Sequence, residues 1–154
     1  MKFSNRVDVA APAEFLFDEL ADFSGFERAA KRKGISLQRL DQLAQPGAGM
    51  SWDISFRMRG RPRQLIAEIR RYDRPAQLDY EGVSQGFQLM LTLALQALAE
   101  DRTRVMTGLE IRPRTLGARL LLQSAKLGRT NLEKRYDSRV TAFLREIEGR
   151  APRV

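Results

Sequence analysis

The sequence predicts one α+β domain: a strand, two short helices, about six strands in an antiparallel meander, and a long terminal helix. Three observations predict it. Residues 2–9 alternate with a period of two, which marks a half-buried strand. From Ile35 to Pro113 the same alternation recurs in runs separated by turn residues. From Thr115 to about Glu148 the apolar residues recur at helical spacing instead.

In the first strand Phe3, Val7 and Val9 share one parity, opposite Ser4, Arg6 and Asp8. Ala11-Pro12-Ala13-Glu14 then starts a helix, with Pro suited to an early helical position and an acid in the first turn. Leu16, Leu20 and Phe23 continue it, and Ser24-Gly25 is expected to break it. A second short helix is expected from Phe26 to Lys33, stopping at Gly34.

Ile35 to Leu43 reads as a strand of imperfect alternation, followed by a turn at Gln45-Pro46-Gly47. Trp52, Ile54, Phe56 and Met58 alternate with polar residues, and Gly60 closes a tight turn. Leu65, Ala67 and Ile69 define the next strand, and Asp73-Arg74-Pro75 a turn. Leu78 and Tyr80 share a face of the strand after it, which ends at Ser84-Gln85-Gly86. Phe87 to Leu95 forms a long strand with apolar residues at every second position. Val105, Leu109 and Ile111 mark the last strand, after a turn at Glu100–Arg102 and before Pro113. The terminal helix carries Leu116, Leu120 and Leu127, then Leu132, Tyr136, Val140, Phe143 and Ile147. The five-residue step from Leu127 to Leu132, with Gly128 inside it, predicts a kink. The domain is expected to span 1–150, with 151–154 as a tail.

Composition narrows the chemistry. The 154 residues contain neither cysteine nor histidine. That excludes a disulfide framework, a thiolate nucleophile and a thiolate or imidazole metal site. The N-terminus, Met1-Lys2-Phe3-Ser4-Asn5-Arg6, is interrupted by charge before an apolar signal segment can form. No run approaches the ~18 apolar residues of a membrane span. A cytoplasmic location is the expectation. The net charge is +8, with 22 Arg and 5 Lys. The Arg excess reads either as phosphate recognition or as the codon bias of a GC-rich, bacterial genome.

Antiparallel pairing places Trp52, Phe56, Leu65, Ile69, Leu78, Tyr80, Leu89, Leu91, Leu93 and Leu109 on one side of the sheet. Only the terminal helix is long enough to cover them. The stripe reads either as plain core or as the wall of a cavity. Alternation of turns also puts Gly60, Ser84–Gly86 and Pro113 at one end of the sheet. That end collects Arg57, Arg59, Arg61, Arg63, Arg112 and Arg114. Glu68, Asp79 and Glu110 fall on the polar parity, so no acid–base couple faces inward. There is no Gly-rich phosphate loop and no metal-ligand spacing.

The element order resembles the START-related (SRPBCC, polyketide cyclase/dehydrase-like) superfamily, whose fold is called helix-grip. The opening Val7-Asp8-Val9-Ala10-Ala11-Pro12-Ala13-Glu14, running on through Phe15-Leu16-Phe17-Asp18 to Asp22, is similar to that superfamily's first strand and helix. Where members often carry Trp-Pro in the second helical segment, this chain has Phe26 and no Pro. The resemblance implies a curved sheet of six to seven strands wrapped around the C-terminal helix, with a cavity between them for a lipid, quinone or polyketide-like molecule. The ligand-binding residues it implies are Trp52, Phe56, Met58, Leu65, Ile69, Tyr80, Leu89, Leu91, Leu93 and Leu109 from the sheet. Leu120, Leu127 and Tyr136 are added from the helix. It also sets the Arg-rich end near the cavity mouth, where it would attract an anionic head group or membrane surface. The favoured expectation is a non-catalytic carrier of a hydrophobic small molecule, with no catalytic residue, cofactor or metal. A cyclase that orients its substrate is the alternative, and a basic nucleic-acid-binding protein a second one.

Overall fold

The computed structural model describes residues 1–152. Of the tail expected at 151–154, residues 153–154 lie outside the described residues. The elements are β1 (Lys2–Val9), α1 (Ala13–Leu20), α2 (Phe23–Arg32), β2 (Ser36–Arg39), β3 (Ser51–Met58), β4 (Arg61–Asp73), β5 (Gln77–Val83), β6 (Phe87–Ala99) and β7 (Arg102–Pro113). They are followed by α3 (Leu116–Ala125), a 3-10 turn (Lys126–Gly128) and α4 (Arg129–Gly149). The seven strands form one antiparallel sheet in the order β1-β7-β6-β5-β4-β3-β2. Register shifts in β4 near Ile69–Arg71 and in β6 near Ala97–Ala99 bend these strands.

The helical region differs from the sequence expectation at its first break. The interruption falls at Ala21–Asp22, and Ser24-Gly25 lie inside α2. Asp22 is the reason. Its carboxylate accepts from the Gly25 backbone N–H at 3.1 Å and caps α2. A Cβ at position 25 would lie 2.2 Å from Asp22 Oδ2, so glycine here makes room for the cap. The predicted kink in the terminal helix is present as the 3-10 turn Lys126–Gly128.

The strand expected at Ile35–Leu43 is shorter, Ser36–Arg39. Asp41 ends it. Its carboxylate accepts from the Arg39 guanidinium (2.6 Å), the Leu43 N–H (3.0 Å) and the Ser51 N–H (2.9 Å). The side chain is only 7% exposed. Those bonds, the arginine first, hold the Asp41 carboxyl well below the usual carboxylate range. The Gly60 hairpin has φ of 54° at Arg59 and 73° at Gly60. Two positive values in succession belong to a type I′ turn, whose twist matches that of the strands.

Paired residues share a face, so the register sorts every strand. The inner face takes the odd residues of β1, β6 and β7 and the even residues of β3. It carries α1 and α4 at one end. There Val9, Leu16, Phe17, Leu78, Val105, Leu144 and Ile147 form a nearly water-free core. Leu144, not the expected Phe143, is the inward residue of α4. Phe143 is 41% exposed and packs on Phe26 at 6.4 Å between ring centres. Arg145 donates to the Asp8 carbonyl (3.0 Å) and Glu148 accepts from the Ala10 N–H (2.7 Å), which ties this end of α4 to β1.

Two expectations follow. Leu144→Ala should cost about 2–5 kcal/mol by urea unfolding, as a buried large-to-small change does. Phe143→Ala should cost clearly less. For Asp41 the folded carboxyl titrates below its unfolded value. Its contribution is therefore complete above the ordinary carboxylate pKa and lost as pH falls toward the depressed value. Relative to Asp41→Asn, the native chain should be more stable at neutral pH, and the gap should close on acidification below about pH 4.

Candidate functional site

The inner face is filled at one end and open at the other. One row crosses the sheet at mid-height: Ile69, Tyr80, Leu91, Leu109 and Phe3, each paired with the next. The next row toward the Gly60 turn is Trp52, Ala67, Gly82, Leu89 and Ile111. Beyond it lie Ile54 opposite Leu65, then Phe56 opposite Arg63 and Met58 opposite Arg61. A Cβ on Gly82 would meet Leu65 Cδ1 at 3.1 Å, so Leu65 leans over the glycine. Ile69 and Leu93 are buried, but Ile54, Phe56, Leu65, Leu89, Leu91, Leu109 and Ile111 are only half-buried. The terminal helices pack chiefly on β1, β7 and α1, and Phe23 of α2 covers Trp52 and Tyr80, so beyond these two residues the inner face of β3–β5 stays partly exposed toward the Gly60 end. The result is an open apolar groove where a cavity between sheet and terminal helix was expected.

The polar groups on this face have distinct fates. Trp52 is buried against Phe23 (5.4 Å between ring centres). Its indole Nε1 donates to Glu27 Oε1 at 3.0 Å, and the Arg39 guanidinium lies 5.8 Å from the ring centre. The polar handle of Trp52 is therefore taken up by α2. Tyr136 has a hydroxyl 2.6 Å from Thr107 Oγ1, which in turn donates to Asn5 Oδ1 at 2.6 Å. Its ring stacks on Phe3 at 5.6 Å. This residue locks α4 to β1 and β7 and offers no free handle. Tyr80 differs. Its hydroxyl has no hydrogen-bond partner among the described residues, although it stands in the middle row of the groove. Burial, with Tyr72 nearby, pushes its pKa up, so the phenol stays neutral.

Leu120 and Leu127, expected to close the wall from the helix side, are 57% and 92% exposed. They lie on the side of α3 and its 3-10 turn away from the Ala118 contact with Gly86. Met58 is 52% exposed at the hairpin tip. In the Arg-rich end, Arg61 and Arg63 share the inner parity, while Arg57 lies on the outer one and donates to the Gly60 carbonyl (3.4 Å). Arg112 is a correction: it lies on the outer parity and pairs with Glu110 at 2.7 Å, away from the groove. Arg114 is turned onto the Ser84 carbonyl.

Glu27 and Asn5 were not singled out by sequence, because each acts through a partner far away in the chain. Among the described strand residues, no carboxylate lies on the inner parity. Glu68, Asp79 and Glu110 all fall on the outer one. The groove can therefore orient an apolar molecule and hydrogen-bond it at Tyr80, but it holds no acid–base pair. A separate depression lies elsewhere on the molecule. It measures about 890 Å³ and wraps the free edge of β1, between Lys2, Arg6 and Glu110 on one side and Arg129, Glu133 and Lys134 on the other. Phe3, Leu109 and Tyr136 reach it, but Tyr80 and Leu91 do not.

No protein-family model matches the sequence, and neither does any curated protein. Solved structures do match. An aromatase/cyclase, ZhuI from Streptomyces sp. R1128, is 16% identical, with 97% of this chain and 94% of that one covered and a TM-score of 0.66. A norcoclaurine synthase from Thalictrum flavum, in complex with a transition-state analogue, is 13% identical over 80% and 82% of the two chains, with a TM-score of 0.60. A START superfamily protein from Mycobacterium smegmatis is 16% identical over 87% and 95%, with a TM-score of 0.55. At these identities the likeness establishes the architecture: this chain has the helix-grip fold of the START-related, SRPBCC-type proteins.

Proposed function

We propose that the protein binds a small, largely apolar molecule in the groove across Tyr80 and carries it without chemical change. The observation behind this reading is the unpartnered Tyr80 hydroxyl on a half-covered apolar floor. No buried side-chain polar atom lacks a partner among the described residues, so this hydroxyl is open to water and available to a ligand. A ligand carbonyl or hydroxyl would satisfy it. The half-buried aliphatic side chains around it would gain about 25 cal/mol for each Å² that the ligand covers. Shape and one hydrogen bond suit a quinone, a fatty acyl chain or a polyketide-like ring.

A cyclase-like reading draws support from the aromatase/cyclase of the same fold. In this chain it would rest on orientation alone, with neutral Tyr80 as the single donor. A nucleic-acid reading has less support, since the inner aromatics Trp52, Phe56 and Tyr80 are wholly or partly buried and so poorly placed to stack on bases.

Trp52 is the only tryptophan and lies on the same face, so its fluorescence reports the groove. A short-tailed benzoquinone should quench it saturably, and native mass spectrometry should show a one-to-one complex. Tyr80→Phe should weaken that complex roughly five- to tenfold, the worth of one hydrogen bond, and leave the urea midpoint unchanged. Leu91→Arg should abolish binding. Absence of any complex with quinone, fatty acid or polyketide mimic would return the groove to the status of an open core.

A further inference from the structure

The outward side of α3 is apolar and uncovered. At about 100° per residue along α3, Leu116 and Leu120 fall within roughly 40° of one another, opposite Ala118, Leu122 and Ala125, and Leu127 follows in the 3-10 turn. The inner set packs toward the sheet, with Ala118 against Gly86. The outer set stands 72%, 57% and 92% exposed. Leu121 adds a further exposed leucine at the margin. Leucines exposed together to this degree mark an interaction surface.

The segment that carries them, and the end of the sheet it packs on, is cationic. From Ile111 to Leu132 the chain has no acidic residue. Arg119 and Lys126 flank the leucines and form no ion pair among the described residues. The sheet register puts the β3–β4 hairpin at the same end as Gly86 and the start of α3. The hairpin contributes Arg57, Arg59, Arg61 and Arg63 around the exposed Met58, and again none meets a carboxylate among the described residues. Elsewhere Arg39, Arg71, Arg74, Arg104 and Arg145 are ion-paired.

We propose that this end of the molecule docks on an anionic membrane surface. In that pose α3 lies in the plane of the interface, its leucines at the boundary of head groups and acyl chains, and the hairpin arginines over lipid phosphates. No helix among the described residues is long and apolar enough to cross a membrane, so α3 lies on the surface. Charge argues against a second copy as occupant, because a self-complementary interface would bring the same six cations face to face. Nucleic acid would satisfy the cations but leave the leucines wet. The inference rests on residues other than Tyr80 and its row, and stands or falls apart from the ligand reading.

The test is co-sedimentation of the full chain with vesicles of phosphatidylcholine, with or without phosphatidylglycerol, and with no ligand added. The protein should pellet with the mixed vesicles, remain in solution with phosphatidylcholine alone, and be released by high salt. Arg59→Ser/Arg61→Ser/Arg63→Ser should weaken partitioning on the order of 100-fold, from the attraction of each cation to an anionic surface. Leu120→Gln/Leu127→Gln, which keeps the charge and removes only exposed side chains, should weaken it at least about tenfold. Wild-type protein staying in solution with the mixed vesicles would overturn the proposal. So would a glutamine double variant that pellets like wild type, since the end would then be a general polyanion surface. Displacement of wild type and that variant alike by a DNA duplex would count the same way.

Discussion

Seven strands presenting one apolar parity to the same side create more surface than the helices of this chain can cover, and the rest of the structure follows from that shortfall. Cover is concentrated at the end of the sheet near the Asp73–Pro75 turn. There α1 and the last turns of α4 insert Leu16, Phe17, Leu144 and Ile147 between Val9, Leu78 and Val105. The opposite end gets less: α2 lays Phe23 on Trp52 and Tyr80, and α3 approaches with the small residue Ala118. A close-packed core and an open groove are thus two halves of one continuous sheet face. The first half is close-packed, and the second stays half-exposed.

Most polar atoms on that face are satisfied within the protein. Thr103 Oγ1 is fully buried and donates to the Ala11 carbonyl at 2.9 Å. Thr107 joins Tyr136 to Asn5, and Asn5 Nδ2 reaches Asp137 at 3.3 Å. Trp52 is answered by Glu27. Each of these groups sits where a helix or a neighbouring strand supplies a partner. Tyr80 sits where none does, at the centre of the sheet. Its hydroxyl is set apart by geometry: β5 is the middle strand of the seven.

The sheet was largely legible in the sequence because a period of two is a local property. The parity of Trp52, Ile54, Phe56 and Met58 needs no knowledge of any other strand. The Gly60 turn and the slip at Gly128 were legible for the same reason. What failed depended on distant partners. Asp41 truncates β2 by accepting from Ser51, ten residues on. Asp22 overrides a Ser-Gly break by capping through it. In α4 both Phe143 and Leu144 fit the apolar stripe, and only the direction of approach to β1 selects Leu144. At the site, the row of Tyr80 and Leu91 follows from parity. The exposure of Leu120 and Leu127 does not, because a leucine stripe looks the same whether it faces a wall or water. Arg112 shows the converse: sharing an end of a sheet does not mean sharing a face.

Arg59 carries one further consequence. It sits in the left-handed region at the first corner of the type I′ turn, a place that Asn, Asp or Gly fills with less strain. The chain holds an arginine there between two others, Arg57 and Arg61. Backbone comfort and local charge therefore pull in opposite directions at a single codon. Any selection for thermal robustness alone would drift this corner toward Asn-Gly, and would remove a cation while appearing to improve the protein.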